Sequence, residues 1–156
     1  SFAFLRRYFE AVAMAQVSRS AEHAREIGYL RPTDRIVMNR FELLAIAKAE
    51  AHMLAEAGYR PPLKPRDIPV LGRSAAATIK AFIANMHAGQ FISEHDYLIG
   101  SKIADVMCGG DVEAGSMVDE QWLLDLERKN FMELLATEKT RARVEYMLKN
   151  GKPLRN

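Results

Sequence analysis

The sequence has few of the features that build disulfide-bonded or membrane-embedded proteins. Cys108 is the one cysteine among 156 residues, so no internal disulfide can form and a reducing compartment is expected. No apolar run approaches the roughly 20 residues that a membrane-spanning helix needs, and no secretory signal peptide is recognisable at the start. We therefore expect a soluble, cytoplasmic protein in which Cys108 is a buried apolar side chain.

The chain also has no strong excess of charge of either sign. Its 22 Lys and Arg residues and 20 Asp and Glu residues give a formal net charge of +2, too small for a nucleic-acid-binding surface. Hydrophobic residues make up 49% and charged residues 27%, which is ordinary globular usage. These values predict a folded domain that binds no nucleic acid.

Most segments repeat their apolar residues at the three- and four-residue spacing of a helix. Prolines interrupt this pattern between Tyr59 and Arg73, which predicts an extended connector outside any sheet. Only residues 35–38 favour a strand. The expected fold class is therefore all-α, with at most one short strand near 35–38.

Polar residues mark the expected helix starts. These starts are Ser18 or Ser20, Asn39, Ser74, Ser93, about Asp119, and Thr137. The apolar arc of the helix after Asp119 is wide enough to imply burial on more than one side. The last helix is expected to turn Val144, Met147 and Leu148 inward.

His95 and Asp96 form the sharpest local motif, because His-Asp pairs supply metal ligands in a class of helical phosphohydrolases. The further ligands would have to come from His52, His87, Asp111 or Asp125. A structural explanation competes, since Asp96 lies three residues after Ser93 and completes a capping box. His95 would then be an ordinary first-turn residue. A metal-dependent hydrolase is kept as an alternative function, and no metal ligand is assigned.

Four early segments are spaced as helix, turn, strand and capped helix: Ser20–Ala24, Gly28–Leu30, Asp34–Val37 and Arg40–Ala57. Together with Leu124–Pro153, they resemble the part of crotonase-type enzymes (the enoyl-CoA hydratase/isomerase superfamily) that follows the active site. The resemblance divides the chain into 1–57, an extension over 58–118 with a proline-rich connector at 59–73, and C-terminal helices over 119–156. All three parts are expected to form one structural unit.

Three further segments narrow this resemblance: Ala57–Pro62, Gly109–Val112 and Gly151–Asn156. They are similar to the end of bacterial fused 3-hydroxyacyl-CoA dehydrogenases, in which a hydratase-like region follows the dehydrogenase. The resemblance implies a C-terminal fragment of a fatty-acid β-oxidation enzyme that uses NAD and an acyl-CoA substrate. It assigns no catalytic residue and no cofactor to the fragment, which is expected to be inactive alone.

The same resemblance suggests where coenzyme A could be contacted. In many crotonases the last helix packs against a neighbouring subunit and offers an aromatic residue and a lysine to the nucleotide. Met147 and Asn150 stand at those positions here, so Lys149 and Lys152 become the candidates for contacts with the CoA phosphates. The negative end of the helix dipole would by itself explain these lysines.

The expected partners are the acyl-CoA substrate, the rest of the parent chain and a second copy of the fragment. Self-association is expected because a piece of a larger fold exposes apolar surface. A helical interaction module without a ligand is a third alternative function.

Overall fold

The computed structural model describes all 156 residues as seven α-helices and one two-stranded antiparallel sheet. The elements are α1 (Phe2–Ala13), α2 (Ala21–Glu26), α3 (Leu43–Glu56), β1 (Ile68–Pro69), α4 (Gly72–Ala88), α5 (Glu94–Cys108), β2 (Met117–Val118), α6 (Glu120–Leu135) and α7 (Glu138–Asn150). The expected, mostly helical fold class is confirmed. None of the helices is long and apolar enough to cross a membrane.

The chain packs as two compact units. The first contains residues Ser1–Ala15 and Lys64–Asn156, and the second contains Gln16–Leu63. The expected division at 57 and 118 follows a family resemblance, so it stays a prediction.

The second unit contains α2 and α3 and several polar contacts. The Ser20 hydroxyl caps α2 by accepting a hydrogen bond from the backbone N–H of His23 at 3.1 Å, which selects Ser20 over Ser18 as the cap. Arg25 donates to the backbone carbonyl of Asp34 at 2.9 Å. No side chain of α3 is buried.

The strand expected near 35–38 does not form. These residues adopt no regular structure, and the single sheet of the protein contains only β1 and β2. A strand gains its hydrogen bonds from a neighbouring strand, and no partner strand is offered to this segment.

The core of the first unit lies between α4 and α5. Its buried residues are Phe9, Ala75, Ala76, Ile79, Ile83, Ala104 and Cys108. The alanines on both helices let the two backbones approach closely, and Phe9 of α1 fills the space beside them, with 2% of its surface exposed. Gly100 of α5 belongs to the same contact, because a Cβ atom there would lie 3.1 Å from Cδ1 of Ile83.

Cys108 is fully buried, as expected from the sequence. Burial, together with the nearby Asp105 carboxylate, raises the pKa of its thiol to about 11. The thiol is therefore protonated at neutral pH, which suits a core residue and does not suit a nucleophile.

The proline-rich connector departs from its prediction, because part of it belongs to a sheet. Ile68 pairs with Val118 and Pro69 with Met117 in an antiparallel ribbon. The backbone of Val70 continues the pairing by donating to Ser116 at 3.0 Å. A proline is tolerated here because a two-stranded ribbon has an unpaired edge that needs no N–H donor.

Glycine is required where α5 ends and the ribbon begins. Gly109 adopts a left-handed conformation with φ of 90°, and a Cβ atom there would lie 2.6 Å from the side chain of Val70. Gly109 is therefore the C-cap of α5.

The last two helices bury less apolar surface than their patterns predict. On α6, Trp122 is 46% and Phe131 52% exposed, so burial on more than one side is wrong for this chain. On α7, the inward orientation predicted for Val144 and Leu148 is also wrong, since both are exposed. Met147 is 45% exposed but does face the rest of the unit, where it lines a cavity. Helical periodicity identifies an apolar face but cannot say whether the same chain supplies the surface that covers it.

Candidate functional site

An apolar cavity of about 440 Å³ opens within the first unit, between α1, α4, α5 and the end of the chain. Most of its lining is apolar: Phe9, Ala13, Met14, Ala15, Phe82, Ile83, Met86, Ile92, Ile99, Gly100, Met147, Pro153 and Leu154. Four charged residues complete it: Glu10, Asp96, Arg143 and Arg155. A concave, mostly apolar space with a few convergent polar groups is the usual form of a small-molecule site.

Asp96 is the central polar group of this site. It is the third residue of α5, and its Oδ2 atom accepts hydrogen bonds from the backbone N–H and the hydroxyl of Ser93, at 3.2 and 3.0 Å. The Ser93 hydroxyl in turn accepts from the backbone N–H of Asp96 at 3.1 Å. This reciprocal pair confirms the capping box predicted from the sequence.

The second carboxylate oxygen of Asp96 connects α5 to α7. Its Oδ1 atom accepts a hydrogen bond from Nη1 of Arg143 at 2.7 Å, and both side chains are largely buried. Burial opposes ionisation of Asp96, but the hydrogen bonds from Arg143 and Ser93 outweigh it and hold the pKa of the carboxyl below its ordinary value. Asp96 is therefore charged at neutral pH.

Arg143 also holds the C-terminal segment (residues 151–156) against α7. Its Nε atom donates to the side-chain oxygen of Asn156 at 2.7 Å, and Nη2 donates to the backbone carbonyl of the same residue at 3.1 Å. The Asn156 amide donates to the carbonyl of Lys139 at 3.3 Å. Through these contacts Pro153 and Leu154 become a wall of the cavity.

His95 lies beside this network but points elsewhere. Only 4% of the residue is exposed, and its Nε2 atom lies 2.9 Å from the hydroxyl of Thr140 on α7. Burial, together with the charges of Arg143 and Lys139, lowers the pKa of His95 below its ordinary value. His95 lies in the first turn of α5, as the structural explanation predicted, but it is a buried, neutral packing contact between α5 and α7.

These contacts leave the metal hypothesis without ligands. Asp96 is committed to Ser93 and Arg143, His95 faces Thr140, and no group of three or more His, Cys, Asp or Glu side chains could hold a metal ion. Asp111 is paired with Arg73 instead. A dipeptide of ligand-type residues does not set a coordination geometry.

The candidate CoA lysines lie outside the cavity. Lys149 is exposed near the end of α7 and pairs with Glu145 one turn earlier, and Lys152 is exposed in the C-terminal segment. Arg155, a further cation in the C-terminal segment, lies on the cavity rim, with Nη1 3.7 Å from the Asp96 carboxylate.

Sequence reasoning missed Arg143. Arg143 could have been found from the positions of polar residues on two helices, because residues that face each other across two helices recur at helical spacing on both. Residues 95 and 96 in the first turn of α5 meet residues 140 and 143 of α7, and residues three apart share one face of a helix. The pairing itself depends on how α5 and α7 pack.

The chain is similar to a probable 3-hydroxyacyl-CoA dehydrogenase of Bacillus subtilis (strain 168), with 44% identity over 148 residues. The alignment covers 95% of this chain. The chain spans only 19% of the length of that relative. No family model and no solved structure matches the chain.

Removing the Asp96 carboxylate should destabilise the fold more than removing a neighbouring one. Asp96→Ala leaves Arg143 largely buried without its charge partner and removes half of the capping box, so we expect a loss of about 3 kcal/mol in the free energy of unfolding. Glu94→Ala is the matched control in the same helical turn and should lose about 0.5 kcal/mol. Urea unfolding measures both, and equal losses would contradict the role assigned to Asp96.

The buried His95 should make the protein less stable in mild acid. Because its pKa is lower in the folded protein than the ordinary 6.5, the unfolded chain binds the proton more tightly. The contribution of neutral His95 is present above pH 6.5 and is lost as the pH falls towards the folded pKa. The pKa of Asp96 is also lowered by folding, so the stability that its charged form contributes is lost in the same direction, as the pH falls below 3.8.

Urea unfolding between pH 7.5 and pH 5 tests this expectation, with His95→Gln as the comparison. The variant should show a shallower decline of unfolding free energy than the parent over this range. A parallel decline in both proteins would exclude His95 as the group responsible.

Proposed function

We propose that this chain is a helical portion of a longer fatty-acid β-oxidation enzyme with NAD-dependent 3-hydroxyacyl-CoA dehydrogenase activity. The observation that carries the proposal is the 44% identity to a probable 3-hydroxyacyl-CoA dehydrogenase along 95% of the chain. Identity at this level over nearly the whole chain supports a common fold and a common place in a larger protein. In that protein, NAD and an acyl-CoA substrate are the ligands we propose.

A finer part of the proposal is that the parent also carries an enoyl-CoA hydratase-like region and that this chain ends it. The support is the pattern of segments that resembles the last part of crotonases, including α3 and the terminal α7. The helix start expected at Asn39 is wrong, because α3 begins at Leu43 after Glu42, which makes no side-chain cap. Asn39 instead accepts from the backbone N–H of Phe41 at 3.1 Å in a turn before the helix.

Within the parent, we assign the chain a scaffolding role. Its polar groups near the cavity are held in structural contacts, and Asp96 is fixed in its charged form by Arg143. A general acid or base needs a pKa near the working pH, so Asp96 is a poor candidate for one. The fragment alone is therefore proposed to be inactive.

The apolar surface of α6 and α7 supports a role in contacts with other parts of the parent or with a second copy. Trp122, Phe131 and Leu148 are among the exposed side chains, and large exposed apolar patches mark interaction surfaces. We propose that the 156-residue chain self-associates when it is separated from its parent. A strictly monomeric chain in light scattering would contradict this.

The central proposal is tested by enzyme assay. We expect the purified full-length protein to form NADH from NAD and a 3-hydroxyacyl-CoA, and the 156-residue chain alone to form none above background. Absorbance of NADH measures both. Absence of turnover in the full-length protein would contradict the proposed activity, and turnover by the chain alone would contradict the scaffolding role.

Coenzyme A contact is a separate proposal, resting on Lys149 and Lys152. Both side chains are accessible to a nucleotide, since Lys149 keeps 69% of its side-chain surface exposed despite its pairing with Glu145. Point charges of this kind suit phosphate groups. To bind a CoA phosphate, Lys149 would have to give up its ion pair with Glu145.

Calorimetric titration with CoA tests the lysines. The double variant Lys149→Ala, Lys152→Ala should bind CoA about tenfold more weakly, since two exposed charge contacts contribute about 0.5–1 kcal/mol each. Lys48→Ala, Lys129→Ala is the control, because it removes the same charge elsewhere. Equal affinity in the two double variants would rule out a specific role for Lys149 and Lys152.

A further inference from the structure

The cavity between α1, α4, α5 and the C-terminal segment has a property that the proposed function does not use. Its wall is apolar, and its rim carries Arg155, an exposed cation whose nearest carboxylate, that of Asp96, is already held by Arg143. We propose that this cavity is a binding site for an unbranched apolar chain with a single anionic end group, which Arg155 receives. The inference deepens the proposed function, on which it rests for the choice of a fatty chain as ligand.

The size and the lining of the cavity suit a flexible chain. Its volume of about 440 Å³ lies within the range of about 300–1,000 Å³ that small-molecule sites occupy. Met14, Met86 and Met147 contribute to the lining. Methionine side chains are unbranched and polarizable, so they adjust to ligands of irregular shape.

The charges on the rim favour an anion over a cation or a neutral group. Glu10 is already paired with Arg6 at 2.8 Å. Asp96 is paired with Arg143 at 2.7 Å, and Arg155 approaches the same carboxylate at only 3.7 Å. Two guanidinium groups thus share one carboxylate, which leaves one positive charge without a close partner.

Arg155 is the cation that can be used. Its side chain is 59% exposed, whereas that of Arg143 is 17% exposed and is engaged by Asp96 and Asn156. Its contact with Asp96 is longer than a charge-assisted hydrogen bond, which is about 2.7–2.9 Å. A ligand carboxylate or phosphate ester would therefore gain a short contact with Arg155 at little loss.

Methionine methyl groups provide a local probe of the site. In the full-length protein labelled with ¹³C at the methionine methyls, decanoate should shift the signals of Met86 and Met147 and leave those of Met117 and Met132 in place. Decyl phosphate tests a phosphate ester as the end group in place of a carboxylate. The probe that binds with the higher affinity identifies which of the two end groups the site prefers. Decanol, which has no charge, should bind about fivefold more weakly.

Two variants locate the ligand. Arg155→Gln should lower the affinity for decanoate about fivefold. Arg128→Gln, which removes an exposed arginine from α6, should leave that affinity unchanged. Ala13→Phe fills part of the cavity and should abolish the shifts of Met86 and Met147. Because Arg155 is exposed, its variant keeps the fold and remains informative even if the Ala13 variant unfolds.

The proposal is overturned if neither anionic probe shifts Met86 and Met147, or if decanol and decanoate bind equally. Equal affinity of the parent and the Arg155→Gln variant would also overturn it. NADH formation by the same samples reports separately on the proposed function. An active enzyme without methyl shifts would refute this site alone, and methyl shifts in an inactive protein would refute only the dehydrogenase activity.

Discussion

The arrangement of the first unit depends on the carboxylate of Asp96. One of its oxygens closes the capping box with Ser93 and so fixes where α5 begins, and the other accepts from Arg143 and so fixes where α7 lies. Arg143 extends the same network to Asn156, which lays the end of the chain over the cavity. A single residue therefore connects the local start of a helix to the packing of a distant one. Removing an acceptor from such a network exposes the remaining charge to the full penalty of burial.

Apolar side chains are closely packed in the core of this unit but exposed on its last two helices. Between α4 and α5, small residues such as Ala76 and Ala104 allow close packing that buries Ile79 and Cys108 almost completely. Helices α6 and α7 instead leave large apolar side chains open to solvent. An apolar face without a covering surface is what a portion of a larger protein would show, in agreement with a match that spans 19% of a relative. The proposed self-association rests on this contrast.

Local signals predicted several helix starts but not all of them. Ser74 lies inside α4, which begins at Gly72, and α3 begins at Leu43 and not at Asn39. Ser20, Ser93 and Thr137 each accept a backbone hydrogen bond at the start of the helix predicted to follow them, and Gly109 and Gly151 end helices in the left-handed conformation. These features depend on residues within four positions of one another, so the sequence displays them directly. The short strand that the sequence allowed near 35–38 does not form, because strand formation needs a distant partner. The pairing of Ile68–Pro69 with Met117–Val118 was missed for the same reason.

The candidate site divides in the same way. By itself, the sequence determined the helical class, the capping role of Asp96 and the buried state of Cys108. Only the tertiary structure decided that His95 faces Thr140, that Arg143 binds Asp96, and that Arg155 reaches the cavity while Lys149 and Lys152 do not. The physical reason is range. Caps and helical periodicity arise from neighbours along the chain, whereas a cavity and its charges arise where side chains about 45 residues apart are brought together by packing.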